Sequence, residues 1–257
     1  MNNARNQKCM VLILAMIVGI GFVSCGDDDN ENTVNEPYTP SDSRAVDLGL
    51  SVNWAKMNVG ANALEDCGLF FAWGETKGYT SNTSDGHQFD YTEYKWMTAG
   101  QSSPYWINKY QIADQWTDGC WFDSNQRFIG DGKKVLELAD DAAAANWGGS
   151  WRMPTIEECQ ELISNCSAEW TRQNGTYGCK LTSKKNGNSI FLPASGIRAS
   201  GGVLTWEGIG VYWSSSLKTT LGGCGFNFSA NDGTSMYITT NDYSRNTGIN
   251  IRPVMKK

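Results

Sequence analysis

The sequence has little histidine, proline or charge: among 257 residues there are one histidine, 6 prolines and 19% charged residues. The single imidazole, His87, excludes a histidine-rich metal site and leaves one candidate base for a serine or cysteine triad. A basic stripe is also missing. Acidic residues outnumber basic ones by 27 to 21, and the net charge of −6 argues against a nucleic-acid partner. The sequence therefore predicts no nucleic-acid binding and gives little support to side-chain catalysis.

The sequence is instead rich in apolar and aromatic residues. Hydrophobic residues make up 40% of the chain, which excludes a disordered protein, and there are 11 tryptophans, 8 cysteines and 28 glycines. No Pro-rich or low-complexity break interrupts the chain from residue 44 to residue 257, and this length is within the range of one domain. We predict a single domain over residues 44–257.

The first 24 residues are typical of a secretory signal. Arg5 and Lys8 precede an apolar stretch over residues 9–23, which is shorter than the roughly 20 residues that a membrane span requires. A small residue and then Cys25 follow, an arrangement that resembles the lipobox of bacterial lipoproteins, with Phe22 where Leu is usual. The resemblance implies a signal peptide over residues 1–24 and acylation of Cys25, palmitate included. The alternative is an ordinary signal in which Cys25 is incidental.

The segment after Cys25 is predicted to be a flexible acidic tether. Residues 25–43 begin with an acidic run and continue as a polar stretch with two prolines and few aliphatic residues. The acidic run resembles the surface-export signal of Bacteroidetes lipoproteins; the alternative is a solvated stretch that only begins the tether. We predict an outer-membrane lipoprotein exposed at the cell surface. Its acidic charge would repel anionic head groups, so the lipid anchor alone would hold it at the membrane.

The early part of the domain contains the helical signals. Thr155 and Glu158 form a capping-box pattern before an amphipathic stretch, which predicts a helix over residues 155–165. A second helix is predicted near residues 141–145. Residues 76–132 are polar and aromatic with frequent Gly and Asn, and we predict that they form mostly loop.

The later part of the domain has the pattern of strands. Asn186-Gly187 lies between two apolar runs and predicts a hairpin of residues 180–183 and 189–192. Further strands are expected at residues 211–215, 225–228, 235–238 and 248–254. Short helices followed by a twisted, mainly antiparallel sheet, with long irregular loops, give an α+β domain.

Short motifs spread over nearly the whole domain carry a resemblance to a known family. They are residues 46–55 (VDLGLSVNWA), 71–76 (FAWGET), 146–155 (NWGGSWRMPT), 188–196 (NSIFLPASG), 212–216 (YWSSS) and 251–254 (IRPV). The chain resembles the Fibrobacter succinogenes major paralogous domain. Such domains are similar to the C-type-lectin-like fold, a group that also holds the formylglycine-generating enzymes. The resemblance implies a C-type-lectin-like domain and says little about function, because this fold hosts lectins, adhesins and rare enzymes.

Physically, these motifs are typical of scaffold. Arg152 is expected to pair with Asp140, Asp141 or a backbone carbonyl rather than to act as a catalytic cation. His87 lies in a polar part of the loop and is expected at the surface, which makes a triad with Ser215 improbable. Five tryptophans of the motifs are expected in the core: Trp54, Trp73, Trp147, Trp151 and Trp213.

Six cysteines remain beyond the leader and Cys25, and an exported chain meets an oxidising compartment that favours disulfides. Cys159 and Cys166 lie about 10.5 Å apart along one helix, more than the roughly 7 Å between Cα atoms that a disulfide spans. Cys159 falls at an apolar helix position and is expected to be a buried thiol. Cys166 and Cys179, on either side of a turn-rich segment, are the predicted bridge. The chain has no Cys-x-x-Cys spacing, which argues against zinc, and no cysteine can be matched to those of the formylglycine-generating enzymes.

We predict no cofactor, with calcium left open as an alternative. Sugar-binding C-type lectins hold calcium through Glu-Pro-Asn and Trp-Asn-Asp motifs, and neither occurs in the loop region of this chain. Asn231-Asp232 and Asn241-Asp242 offer oxygen ligands, although Asn-Asp-Gly is also a standard turn.

The tryptophans outside the family motifs supply the candidate binding site. Several of them crowd the polar loop, and exposed rings beside amides and carboxylates suit sugar stacking or protein binding. The alternative is that these rings fold the long loop onto the sheet. The predicted ligand-binding set is Trp106, Trp116, Trp121, Trp206, Asn231 and Asp232.

Three functions follow as hypotheses. The first is a non-enzymatic surface lipoprotein that binds a glycan or a host or partner protein, as an adhesin does. The second is a structural or envelope-assembly subunit that packs against a partner protein. The third is an enzyme of the formylglycine-generating type, which the missing catalytic constellation disfavours.

Overall fold

The computed structural model describes residues 42–201, 204–205, 208–230 and 236–257, with the backbone alone for residues 204 and 205. Several predictions lie outside these residues: the signal peptide, Cys25, the tether up to residue 41, and Trp206, Asn231 and Asp232 of the candidate site. No helix of the described chain is long and apolar enough to cross a membrane.

The described residues form two α-helices, three 3₁₀ turns and twelve strands. The helices are α1 (Ala142–Trp147) and α2 (Ile156–Asn165), and the 3₁₀ turns are Thr83–Asp85, Pro104–Trp106 and Leu138–Asp140. The strands are β1 (Ala45–Val46), β2 (Val52–Ala55), β3 (Trp151–Arg152), β4 (Cys166–Gln173), β5 (Thr176–Ser183), β6 (Ser189–Pro193), β7 (Ile197–Arg198), β8 (Leu204–Thr205), β9 (Ile209–Thr219), β10 (Gly222–Ala230), β11 (Met236–Ser244) and β12 (Val254–Lys256).

The described strands form four sheets, and every strand pair within them is antiparallel. One sheet has the order β1-β2-β12-β3, two have the orders β11-β10-β9 and β4-β5-β6, and β7 pairs with β8. The α+β prediction is confirmed in a sheet-rich form. The predicted hairpin is β5 and β6, and β4 is an additional strand that the apolar pattern did not indicate.

Helix α2 begins as the sequence predicts. Thr155 accepts a hydrogen bond from the Glu158 amide at 3.3 Å, and the Glu158 carboxylate accepts one from the Thr155 amide at 2.8 Å, which completes a capping box. Arg152 donates to both Glu158 oxygens, at 2.8 and 2.6 Å, and to the Met153 carbonyl at 3.0 Å. Arg152 therefore fixes the start of α2 by holding the capping glutamate.

The two aspartates before α1 have other partners. Asp141 caps α1 by accepting a hydrogen bond from the Ala144 amide at 3.0 Å. Asp140 accepts hydrogen bonds at 2.6 to 3.0 Å from Lys95, Lys109 and Tyr110. The expectation that either aspartate pairs with Arg152 is wrong, because a glutamate nearer in sequence is already fixed beside it; the expected carbonyl contact is present.

The first hydrophobic cluster joins α2 to the sheet β4-β5-β6 and to one face of β9 and β10. Cys159 and Leu162 point inward from α2, and both are fully buried, as predicted for Cys159. They meet Leu181 and Leu192 from β5 and β6, and Phe226 from β10. The amphipathic face of α2 thus covers two sheets at once.

A second cluster lies on the other face of β9 and contains Trp73 and Trp213. The Trp73 indole donates to the Ser214 carbonyl at 2.9 Å, and the Trp213 indole donates to the Phe71 carbonyl at 2.8 Å. These reciprocal bonds join the segment before the long loop to β9. The expected core position is confirmed for Trp54, Trp73, Trp151 and Trp213, whereas Trp147 is half-buried.

Residues 76–132 contain no strand and only short 3₁₀ turns within the described chain, as predicted. This segment folds over a third cluster, in which Tyr94 and Trp121 are buried. Arg245, also fully buried, fixes it from the far end of the chain. Its guanidinium donates to the Tyr94 hydroxyl at 2.9 Å and, at 3.0 to 3.1 Å, to the carbonyls of Lys109, Tyr110 and Thr220.

The predicted disulfide between Cys166 and Cys179 is not formed; all six cysteines of the described chain are free thiols. The strand register explains this, because Cys166 lies opposite Ser183 in β5 while Cys179 lies opposite Trp170 in β4. Four residues of strand separate the two cysteines along the ladder, about 13 Å, and a disulfide spans roughly 7 Å between Cα atoms. Cys159 and Cys166 are also unpaired, as expected.

Candidate functional site

Two adjoining depressions lie along the outer side of the sheet β11-β10-β9. One, of about 340 Å³, is lined by residues that include Gln115, Trp116 and Leu221. The other, of about 410 Å³, is lined by Ile209, Asn227 and Asn241. Both are also lined by Asp242 and Tyr243, so they form one continuous surface. We call this surface the Trp116–Tyr243 groove.

The position of the Tyr243 ring follows from glycines in the central strand. In the antiparallel register, Gly223 lies opposite Tyr243 and Gly225 lies opposite Asn241. A Cβ atom at Gly225 would come within 3.4 Å of the Tyr243 ring. Without side chains at these positions, the ring leans over β10 and meets Trp213 edge to face, with 5.9 Å between ring centroids.

The same sheet carries a row of polar side chains beside Tyr243. The side-chain amide nitrogen of Asn241 donates to the side-chain oxygen of Asn227 at 2.7 Å. The Lys218 ammonium lies 3.1 Å from an Asp242 carboxylate oxygen, and both side chains are largely exposed. Burial raises the pKa of Tyr243 to about 12, with a hydrogen bond from Asn241 acting in the opposite direction. The hydroxyl therefore stays protonated at neutral pH, and the row offers both donors and acceptors.

Trp116 is brought to this sheet by the long loop. Asp114 accepts hydrogen bonds from the Trp116 amide at 3.0 Å and from the Thr220 amide at 2.7 Å. The Thr220 hydroxyl exchanges further bonds with the Ile112 backbone at 3.0 and 3.1 Å. The Trp116 ring packs edge to face against Tyr105, with 6.1 Å between centroids. These contacts fix one end of the groove on the turn between β9 and β10.

Chemically, the groove combines two aromatic rings with amide, hydroxyl and carboxylate groups. Aromatic faces stack on apolar C–H surfaces, and fixed polar groups beside them give orientation by hydrogen bonding. The groove is open and shallow, so it suits an extended ligand at the surface better than an enclosed small molecule.

The predicted site residues have different fates. Trp116 lies in the groove. Trp106 is 43% exposed but belongs to the 3₁₀ turn Pro104–Trp106 and does not line the groove. The prediction of Trp121 as a ligand-binding ring is wrong, because Trp121 is fully buried in the third cluster. Its ring lies so close to Gly119 that no side chain fits there. For Trp121 the alternative holds: its ring packs inside the folded loop.

Tyr243 is the ring that the sequence reasoning missed. It follows Asn241 and Asp242, which were singled out only as oxygen ligands for calcium. Alternation along a strand places Asn241 and Tyr243 on one face, and this signal was available in the sequence. In the structure Asp242 pairs with Lys218, and the described residues contain no group of three or more His, Cys, Asp or Glu side chains that could hold a metal ion.

His87 differs from the surface residue expected at its position. Its imidazole stacks on Tyr79 with 3.7 Å between ring centroids, and its Nδ1 lies 2.8 Å from a Glu93 carboxylate oxygen. Burial lowers the pKa of His87, and the neighbouring Glu93 opposes this. Ser215 is buried elsewhere, with its hydroxyl donating to the Pro154 carbonyl at 3.2 Å. The imidazole is thus part of an aromatic stack.

The thiols of the described chain are all held in their protonated form. Burial is the largest cause in each case, and it raises the pKa to about 12 for Cys179 and about 11 for Cys224. The pKa is also raised for Cys67, Cys120, Cys159 and Cys166. A reactive cysteine needs the thiolate, which these surroundings disfavour.

Fold and site together define a sheet-rich α+β domain with an open aromatic and amide groove. No protein-family model, no curated protein and no solved structure matches the chain.

Proposed function

We propose that this chain is a surface-exposed outer-membrane lipoprotein whose C-type-lectin-like major paralogous domain binds a glycan. The observation that carries the proposal is the Trp116–Tyr243 groove, in which two rings and a row of amide and charged groups share one open surface. The predicted signal peptide over residues 1–24, Cys25 and the acidic run after it support a location at the outer membrane. The family motifs support the finer fold.

A sugar ring has one face of C–H groups and an equatorial belt of hydroxyls. The Trp116 and Tyr243 rings offer stacking surfaces for the first, and Gln115, Asn227 and Asn241 offer amides for the second. Asn227 and Asn241 already hold each other at 2.7 Å, so little side-chain freedom is lost when a hydroxyl binds to them.

The test is a glycan array probed with the mature lipoprotein in detergent. We expect binding to a defined set of glycans that Trp116→Ala weakens by about tenfold or more, since one lost stacking contact of about 1.4 kcal/mol corresponds to that factor. Trp106→Ala is the matched control, because Trp106 is more exposed but lies outside the groove. The array is run with calcium and with a chelator, and loss of binding in the chelator would assign calcium to the ligand site.

An empty array, or equal losses in Trp106→Ala and Trp116→Ala, would contradict the proposal. Circular dichroism of each variant separates a lost contact from a lost fold.

A partner protein is the second candidate ligand. Three aliphatic side chains at the end of the loop and just after it are unusually exposed, namely Ile129 at 62%, Val135 at 47% and Leu138 at 67%. If this surface packs against an envelope subunit, Ile129→Glu with Leu138→Glu would abolish a stoichiometric complex and leave glycan binding unchanged. A complex that persists in the double variant would exclude this surface.

A further inference from the structure

A separate cavity of about 220 Å³ lies where β6 and the ends of β4 and β5 meet β1 and the residues that follow β2. Its walls are mainly apolar, with Val46, Leu64, Ile190 and Phe191 contributing. Leu64 is 39% exposed at its mouth, and Phe191 is buried at its base. None of its residues lines the Trp116–Tyr243 groove.

Two lysines line this apolar cavity. Lys56 follows β2 and Lys180 lies in β5, and neither ammonium group has an ion pair or hydrogen bond within the part of the chain that the structure describes. No acidic residue lines the cavity; its other polar groups belong to Gln173 and Ser189. Glu169 of β4 lies directly opposite Lys180, so the two side chains share a face of the sheet, although Glu169 does not line the cavity.

A third positive charge lies beneath the cavity. Arg252 is fully buried, and its guanidinium donates to the backbone carbonyls of two lining residues, Lys56 at 3.0 Å and Phe191 at 2.8 Å. Its other partners are the Ala55 carbonyl at 3.1 Å, the Asn58 side chain at 2.8 Å and the Tyr212 hydroxyl. No carboxylate of the described residues is paired with it. Burial lowers the pKa of Arg252 to about 10.

A buried cation that is solvated by neutral groups leaves a positive potential above it, and the low dielectric of the protein strengthens this potential. In most proteins such a charge has an acid beside it. Here the space beside it is an apolar cavity with two further cations, in a chain whose net charge is −6. The cavity is therefore apolar and lined by positively charged side chains, whereas the chain as a whole carries a net negative charge.

We propose that this cavity binds a small organic monocarboxylate with an apolar body, its carboxylate between Lys56 and Lys180 and its body against Ile190 and Phe191. The volume is below the roughly 300 Å³ at which typical ligand pockets begin, which favours a ligand of about the size of an aryl or branched-chain acid. Sites that bind phosphate or sulfate are typically built from arginine side chains and clusters of backbone amides. The lining of this cavity instead has lysines and apolar side chains, which suit a carboxylate with an apolar body.

Phenylacetate serves as the probe, and phenylacetamide as its neutral isostere, in calorimetric titrations of the mature lipoprotein in detergent. We expect phenylacetate to bind at least about tenfold more tightly than phenylacetamide, a difference of about 1.4 kcal/mol. Binding should weaken as the salt concentration rises, because exposed ammonium groups are screened. Equal affinity for the acid and the amide would overturn the proposal.

The variant that tests the lysines is Lys56→Gln with Lys180→Gln, which should abolish the preference for the acid. Lys184→Gln is the matched control, because Lys184 lies in the same hairpin outside the cavity. Ser189→Trp should block binding without changing the charge. Phenylacetate affinity that survives in both the double variant and Ser189→Trp would place the binding elsewhere, in the detergent micelle included.

Inorganic phosphate is the final competitor. If the apolar walls select the ligand, phosphate should not displace phenylacetate beyond the effect of chloride at the same ionic strength. Displacement at equal concentration would make this a general anion site and overturn the assignment to an apolar acid. Thermal unfolding of every variant shows that its fold is retained.

Discussion

The long loop of residues 76–132 and the sheets around α2 are held together in different ways. The sheets have backbone ladders along whole strands, and α2 covers them with a continuous apolar face. The loop has no ladder, and its order depends on a few polar anchors. Arg245 donates to three backbone carbonyls there or at the adjoining turn, and Asp131 accepts from the Tyr110 and Gln111 amides, both at 2.8 Å.

This difference has a physical consequence for mutation. In a ladder, each backbone bond has neighbours that persist when a side chain is lost, so damage is shared among many contacts. In the loop, one guanidinium satisfies several buried carbonyls, and unsatisfied buried carbonyls cost about 1–3 kcal/mol each. We expect polar substitutions to be the severe ones in the loop and apolar truncations to be the severe ones in the sheets.

The largest expected effect is that of Arg245→Met. The variant keeps much of the side-chain volume but removes every guanidinium bond, and we expect a loss of about 4 kcal/mol in the free energy of unfolding. Urea unfolding measures this loss. Limited proteolysis should show new cleavage within residues 76–132 before any in the sheets. Arg172→Met is the control: Arg172 is exposed and should change the free energy by less than about 0.5 kcal/mol. A proteolysis pattern of Arg245→Met that is the same as that of the wild type would show that Arg245 does not hold the loop.

Next in size is Leu162→Ala in α2. Leu162 is fully buried in the first cluster, and its truncation should cost about 3 kcal/mol through lost transfer energy and a cavity. Because this residue supports sheets rather than the loop, urea unfolding should remain one cooperative transition, and limited proteolysis should show no selective cleavage of residues 76–132. Leu138→Ala, on a side chain that is 67% exposed, is the matched truncation and should cost little. Selective loop cleavage in Leu162→Ala would show that the two regions are not separate.

The sequence could predict those parts of the fold whose causes lie close together in the chain. Thr155 and Glu158 are three residues apart, and their capping box placed α2 within one residue of where it begins. The Asn186-Gly187 turn predicted its hairpin for the same reason.

What failed depends on contacts between distant residues. Trp116 and Trp121 lie in segments of similar composition. Trp116 reaches the groove because Asp114 accepts a hydrogen bond from the Thr220 amide, whereas Trp121 is buried in the cluster that contains Tyr94. The predicted disulfide between Cys166 and Cys179 was wrong because the sequence did not indicate β4, whose register with β5 keeps the two cysteines apart. The cation beneath the cavity could not be inferred either, since Arg252 meets Lys56 and Phe191 only in the folded chain.

Thiol alkylation gives a smaller but more local comparison. Cys67 and Cys120 are half-buried in the early, irregular part of the domain, whereas Cys159 and Cys179 are fully buried in the first cluster. With iodoacetamide at pH 8, followed by mass spectrometry, we expect the first pair to react at least about tenfold faster than the second, since access and thiolate fraction govern the rate. Equal rates in all thiols would mean that the sheets open as readily as the loop.

The smallest expected effect is a pH dependence of the loop. Burial lowers the pKa of His87 in the folded chain below its ordinary value of 6.5, so the unfolded chain binds the proton first on acidification. Stability should therefore fall as the pH drops below about 6.5, until the folded imidazole is itself protonated. His87→Gln should remove this component, as measured by urea unfolding between pH 7.5 and pH 5. An unchanged pH profile in His87→Gln would assign the dependence to other groups.

The position of β12 has a consequence for the order in which the chain acquires its structure. The last strand pairs with β2 on one side and with β3 on the other, so residues 254–256 complete a sheet that begins at residue 45. During synthesis, β2 and β3 cannot be joined in this sheet until residues 254–256 have been made. The loop cannot become fully ordered earlier either, because Arg245, which donates hydrogen bonds to it, is made only shortly before β12.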